Sequence, residues 1–217
     1  MSIILAIDTS FGTSVALVSA GKVLAERNIV DTMKHAELIG ETIFNVLTEA
    51  GVTPSDIDSV VAGRGPAPFT GLRVGIAAAT MFAAGSGADL FGAVSLDAIA
   101  FAALPTLKAS TNEPLLVTAD ARRKEVYWAL YSGLDEHGVP IGVEGPGVMK
   151  PADLEEYLTD RNVHPVRTEE PITATNLALL AEAQQAAGIL SKDVSALYLR
   201  AADAVEPKAR VPKGAGL

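Results

Sequence analysis

The stretch Gly63–Ala84, GRGPAPFTGLRVGIAAATMFAA, constrains this chain more than any other. Its opening, GRGPAP, cannot continue a regular element, because proline lacks the amide donor and glycine has no conformational bias. The loop ends at Phe69-Thr70, where the Thr70 hydroxyl is placed to accept a first-turn N–H and cap the following helix. After Arg73 no charge occurs until Asp89. Gly71, Gly75, Ala79 and Ala83 recur at every fourth position, so one face carries almost no side chain and another helix can approach it closely. Leu72, Ile76, Met81 and Phe82 occupy the other faces. A helix apolar all round must be covered all round. Two arrangements satisfy this: burial wholly within its own domain, or one face left for a partner.

The rest of the chain arranges itself before and after this helix. Ser2–Asp8 is a continuous apolar run, read as a buried strand that delivers Asp8 at its end. Ser14–Ser19 and Lys22–Ile29 return as second and third strands, joined by a tight turn at Ala20-Gly21. From about His35 to Ala50 the apolar residues keep helical spacing, and Gly51 stops the helix. Asp58–Ala62 and Asp89–Val94 read as strands, and Ser95 as the cap of a short helix to about Ala103. The order β-β-β-α-β-α-β-α implies an antiparallel meander feeding parallel units, hence a mixed α/β sheet. Leu104–Pro114 reads as a linker. Beyond it LLVTAD again brings an aspartate, Asp120, to a strand end. An aromatic strand over Glu125–Tyr131, broken extended chain over Val139–Val148 and a helix over Pro151–Thr159 follow. A strand within Asn162–Val166, a helix capped by Thr175, a last strand at Leu197–Arg200 and a mobile tail complete the expectation.

Composition removes several functions. With 217 residues and 49% apolar content there is material for one large domain or two small ones. A net charge of −9 disfavours an unaided grip on nucleic acid, and the longest basic run is Arg122-Arg123-Lys124. The absence of cysteine removes thiolate chemistry and suits the cytosol. No signal peptide and no membrane span are expected.

Asp8-Thr9-Ser10, where a strand turns back, offers a carboxylate, hydroxyls and backbone N–H groups to a phosphate and its magnesium; a polar hairpin turn is the plain alternative. Gly63–Gly71 precedes a helix but lacks the Lys-Ser/Thr of a P-loop. The three histidines, His35, His137 and His164, include no i,i+4 pair, and no G-x-S-x-G occurs. Asp8 and Asp120, both at strand ends, form the one candidate carboxylate pair. Tyr127 and Tyr131 share one strand face and Trp128 the other, a core pattern.

Four segments in order, ILAIDTSFGTSVAL (4–17), GRGPAPFTGLRVG (63–75), DARRKEVYWALY (120–131) and ALYLR (196–200), together resemble the bacterial TsaB (YeaZ) family. The resemblance implies the actin-like ATPase fold (sugar kinase/Hsp70/actin): two RNase H-like mixed-sheet halves, here residues 1–106 and a reduced 107–217. It implies a role in making N6-threonylcarbamoyladenosine in tRNAs that read codons starting with A. The family member acts as a non-catalytic subunit: it dimerises with its catalytic paralogue TsaD, the ATPase TsaE joins them, and tRNA is met only through the complex. Family dimers form through the first two helices, which points to His35, Leu38, Ile39, Phe69, Thr70, Gly71, Leu72, Arg73, Gly75, Ile76 and Ala79 as partner contacts. A homodimer in the partner's absence stays open. The paralogue's metal sits on a paired-histidine motif; here Lys34-His35-Ala36-Glu37-Leu38 has one histidine, so neither a metal nor a catalytic residue is expected. Asp8, Thr9 and Ser10 match the first phosphate loop, while DARRKEVY replaces the Gly-Gly loop of the second half. With Asp120 they form at most a vestigial nucleotide contact: no cofactor is required, and ATP or ADP would bind weakly at the complex interface. A competing reading, an autonomous nucleotide-dependent phosphotransferase or ATPase of the same superfamily, needs both loops.

Overall fold

A computed structural model describes residues 2–31, 34–107, 113–168 and 170–200. Residues 108–112 of the expected linker and the expected tail, 201–217, lie outside the described residues. The first half begins with a meander of β1 (Ile3–Asp8), β2 (Thr13–Ser19) and β3 (Lys22–Ile29). Ala20 and Gly21 have φ of 50° and 73°, the left-handed pair that a two-residue hairpin needs. Next come α1 (His35–Ala50), β4 (Ser59–Gly63), α2 (Phe69–Ser86), β5 (Asp89–Ala93) and α3 (Ser95–Ala103). The strands assemble in the order β3-β2-β1-β4-β5, with β1 antiparallel to β2 and parallel to β4. The second half repeats this opening with β6 (Leu115–Asp120), β7 (Val126–Leu134) and β8 (Pro140–Met149). After α4 (Pro151–Asp160) the two-residue β9 (Val166–Arg167) is the one strand added among the described residues, and the sheet order is β8-β7-β6-β9. Two mixed sheets with the same opening, the second curtailed, are the actin-like arrangement.

β1 is covered on both faces, which explains its unbroken apolar run. Leu5 and Ile7 face α1 and α2, in a core with Ile39, Ile43, Val46, Leu47, Ala79 and Ala83. Ile4 and Ala6 face the other way, against α3 and the last described helix, α5 (Ala174–Ala186), where Leu177, Leu180 and Ala181 are fully buried. Helix α3 presents a further side to the second sheet, packing Leu96, Ile99 and Ala103 on Leu115, Tyr127 and Tyr131. Trp128 lies on the opposite face with Leu116, Leu130, Leu154 and Leu158. The aromatic strand divides between two cores as its alternation predicts.

Three expected caps are corrected. α2 starts at Phe69 with Pro68 as the flanking residue, so Thr70 lies inside the first turn and caps nothing. α3 follows Val94, and Ser95 Oγ points away from its own helix to Asp8. For α5 the cap is Thr173, which accepts the Asn176 N–H at 3.2 Å, while Thr175 donates to Glu26. The expected strand at Leu197–Arg200 is an irregular strap, because its groups bond to loops and side chains instead of a ladder: the Leu197 N–H donates to the Arg64 carbonyl at 2.8 Å.

Candidate functional site

At the end of β1, Asp8 is buried with 1% of its surface exposed. One carboxylate oxygen accepts from Ser95 Oγ at 2.6 Å and the other from the Ser10 N–H at 2.7 Å. The Ser10 and Ser95 hydroxyls lie 2.9 Å apart and close the ring. Gly63 abuts the carboxylate so tightly that a Cβ there would come within 2.0 Å of it. Burial pushes the Asp8 pKa up, against the lowering pull of the bonds from Ser95 and Ser10 and the nearby His35. The carboxylate is thus satisfied by its own chain and turned inward. Asp120 is exposed; it accepts the Arg122 N–H at 2.8 Å and faces the Arg122 guanidinium at 3.6 Å. It lines a crevice of about 130 Å³ with Ser10, Phe11 and Arg122, and Asp8 is not among the lining residues. The candidate carboxylate pair is therefore not brought together. Among the described residues no three His, Asp or Glu side chains converge as metal ligands.

Thr9 and His35 tie the hairpin to the helices. Thr9 Oγ1 donates to the Gly71 carbonyl at 2.8 Å, and His35 Nδ1 lies 3.0 Å from Thr13 Oγ1. The small-residue row of α2 meets these groups. A Cβ on Gly71 would lie 2.9 Å from His35 Nε2, and one on Gly75 would lie 2.2 Å from Thr9 Oγ1. Gly71, Leu72, Gly75 and Ala79 are buried within the chain, as are His35 and Ile39 on α1. This corrects the expectation that the row is a surface: the close approach is to the chain's own hairpin and sheet. Leu38, Phe69 and Ile76 are half-buried, and Thr70 and Arg73 are exposed.

What the two helices do turn to solvent is the opposite stripe. On α2 it runs through Arg73, Ala77, Thr80, Met81 and Ala84, with Met81 71% exposed. On α1 it runs through Glu37, Glu41, Phe44 and Thr48, with Phe44 66% exposed. Both helices lie on one face of the first sheet, so the stripes belong to one surface. Sequence reasoning missed Phe44, although it sits one residue beyond Ile43 and off the 39/43/46/47 core stripe.

Arg73 does not stand alone on this surface. Its Nε donates to Tyr198 Oη at 2.7 Å, and its guanidinium lies 5.5 Å from the rings of both Phe69 and Tyr198, which stack at 4.5 Å. Tyr198 belongs to the strap of residues 191–200, which is fixed to the first half by the Gly92–Ser191 bridge and by Arg64, which pairs with Asp193 at 2.6 Å. The strap reaches the second half through Arg200, bonded to Glu125 and to the Ala121 carbonyl. Between the hairpin and the starts of α1 and α2 opens a cavity of about 640 Å³, with Thr9, His35, Phe69, Val74 and Arg122 among its walls. No described helix is long and apolar enough to cross a membrane.

The family model described as "TsaD: tRNA N6-adenosine threonylcarbamoyltransferase" matches residues 22–197. The crystal structure titled "YeaZ from Pseudomonas aeruginosa" superposes with a TM-score of 0.72 at 27% identity, covering 92% of this chain and 100% of that one. A protein of Escherichia coli named tRNA threonylcarbamoyladenosine biosynthesis protein TsaB is 37% identical over 156 residues, 71% of this chain and 65% of the relative. The chain belongs to the TsaB (YeaZ) family. An uncharacterised protein of Mycobacterium tuberculosis is 39% identical over 162 residues, 71% of this chain and 68% of that protein. One from Mycobacterium leprae is 42% identical over 164 residues, which span 41% of its length. The TsaB-like segments at 4–17, 63–75, 120–131 and 196–200 fall at the hairpin, the α2 start, the β6–β7 turn and the strap, which converge in the fold.

Proposed function

We propose that this chain is a non-catalytic docking subunit in tRNA threonylcarbamoyladenosine biosynthesis, binding a TsaD-like catalytic paralogue through the outer face of α1 and α2. The observation that carries this is the exposure of Phe44 and Met81 on a shared helical surface, in a family whose named members serve that pathway. Burying each of two such side chains contributes up to about 1.5–3 kcal/mol, which makes them candidate anchors of a larger interface. The closure of Asp8 by Ser95 and Ser10 supports the non-catalytic part: a magnesium-phosphate site needs a carboxylate turned outward. On this reading the chain needs no cofactor of its own, and a nucleotide meets it only at the partner boundary. It works in the cytoplasm, with a TsaE-like ATPase joining the pair and tRNA engaged by the assembly.

The test is to place a charge on the surface. Phe44→Glu and Met81→Glu should each abolish co-purification with the TsaD-like paralogue while leaving the melting temperature within a few degrees, since both side chains are exposed. Normal complex formation by both variants would refute the docking surface. Threonylcarbamoyl transfer or ATP turnover by the isolated chain, abolished by Asp8→Ala, would refute the non-catalytic role.

A further inference from the structure

The turn joining β6 to β7 sets three consecutive cations at one tip of a chain whose net charge is −9. Arg122, Arg123 and Lys124 have φ of 61°, 55° and 62°, left-handed values that L residues adopt at a steric cost and that glycine or asparagine would relieve. The turn is pinned in that shape. Asp120 accepts the Arg122 N–H, the Ala121 N–H donates to the Glu125 carbonyl at 2.9 Å, and the Glu125 N–H donates to the Arg122 carbonyl at 3.0 Å. All three side chains are exposed. Arg122 and Arg123 meet Arg200 around a crevice of about 160 Å³ walled also by Pro68, Phe69 and Tyr127. Counting Asp120 and Glu125 against these four cations, the patch carries a net +2.

We propose that this turn is a contact for the phosphodiester backbone of an RNA. Guanidinium groups match phosphate oxygens in a bidentate fork. Arg122 and Arg123 wall one crevice with Arg200 while Lys124 lies outside that lining, so the tip offers cations at more than one place and can meet successive phosphates of a polyanion. The acidic remainder repels RNA and confines the contact to this tip, so the turn orients an RNA held mainly by another subunit. The inference rests on the tRNA-modification reading above, and it places the RNA at the β6–β7 turn, beside the start of α2.

The experiment titrates a labelled, unmodified tRNA transcript with the full chain bound to its TsaD-like paralogue, across a range of salt concentrations. Replacing the turn by Arg122→Gln, Arg123→Gln and Lys124→Gln should make the slope of log affinity against log salt shallower by about 2, the loss expected for roughly three phosphate contacts. Affinity at about 0.1 M salt should fall about a hundredfold if the two curves meet near 1 M. Arg122→Lys with Arg123→Lys keeps the charge and should keep the slope. An unchanged slope in the glutamine variant overturns the proposal. So does an equal loss in the lysine variant, which would mean that the turn is only structural, or displacement of the RNA by free ADP, which would make this a nucleotide site. Complex formation is recorded separately: if the chain does not bind the paralogue, the docking reading falls, whereas an unchanged slope in an intact complex counts against the RNA contact alone.

Discussion

Replacing Gly75 with alanine tests the packing of α2 with a single methyl group. A Cβ at that position would lie 2.2 Å from Thr9 Oγ1, 3.0 Å from Thr9 Cγ2 and 3.1 Å from Thr9 Cβ. Thr9 cannot step aside freely: it is β-branched, 2% exposed, and its hydroxyl is committed to the Gly71 carbonyl. In an unconstrained helix the substitution would stabilise by about 1 kcal/mol. Against that stand about 1–3 kcal/mol for overpacking and about 1–3 kcal/mol for a buried hydroxyl turned off its acceptor. The net is a destabilisation of about 3 kcal/mol, which for a chain of this size lowers the melting temperature by about 6–12 °C. Circular dichroism during thermal and urea unfolding reads it directly. Thr9→Ala combined with Gly75→Ala should recover much of the loss, with a coupling of about 1–3 kcal/mol between the sites. A Gly75→Ala variant that melts at or above the parent temperature would refute the reasoning. Normal melting with lost paralogue binding would instead return the small-residue row to the subunit boundary.

Two further outcomes follow from the buried carboxylate and the strap. Burial holds the Asp8 carboxyl above its ordinary 3.8, so the folded chain keeps a proton that the unfolded chain releases. That contribution is complete below the unfolded value and lost as pH rises through the folded one. Asp8→Asn, neutral throughout, should therefore gain stability relative to the parent as pH rises above the unfolded value, read as a widening gap in urea midpoints; a constant gap contradicts this. Tyr198→Ala removes the stack on Phe69 and the Arg73 bond, costing about 0.5–1.5 kcal/mol. It should speed hydrogen exchange at the Leu197 amide, whereas Tyr198→Phe keeps the stack and most of the protection. Equal protection in both variants would contradict the strap's dependence on that ring.

The strands and helices of the first half are legible because each carries a local signal of its own. Continuous apolar runs mark β1 and β4, Ala20-Gly21 the hairpin, and Gly51, with φ of 68°, the end of α1. The caps were less legible because a hydroxyl near a helix start has several acceptors within reach. Ser95 and Thr175 chose carboxylates brought from 87 and 149 residues away. The small-residue row shows that α2 has a close neighbour but not which one; Thr9, 66 positions earlier than Gly75, is identified only once β1 is seated under the helix. In the same way LYLR has the alternation of a strand, yet Tyr198 is drawn to Phe69 and Arg73. At the candidate site the sequence showed the residue types at the strand ends, while the ring of Asp8, Ser10 and Ser95 is a tertiary product.

Helix α5 has a consequence for how the protein is made. It is encoded after the whole second sheet, yet it forms the floor beneath Ile4, Ala6, Ala16, Val18 and Val61 of the first. While the chain is being synthesised, that underside stays wet until Leu177–Ala181 has cleared the ribosome, however early the meander pairs. The amino-terminal half therefore cannot finish before the carboxy-terminal half exists, and the long sequence separation of these contacts slows the final step. Nascent chains stalled near residue 150 should remain clients of chaperones that hold exposed apolar surface, and release should coincide with the emergence of α5.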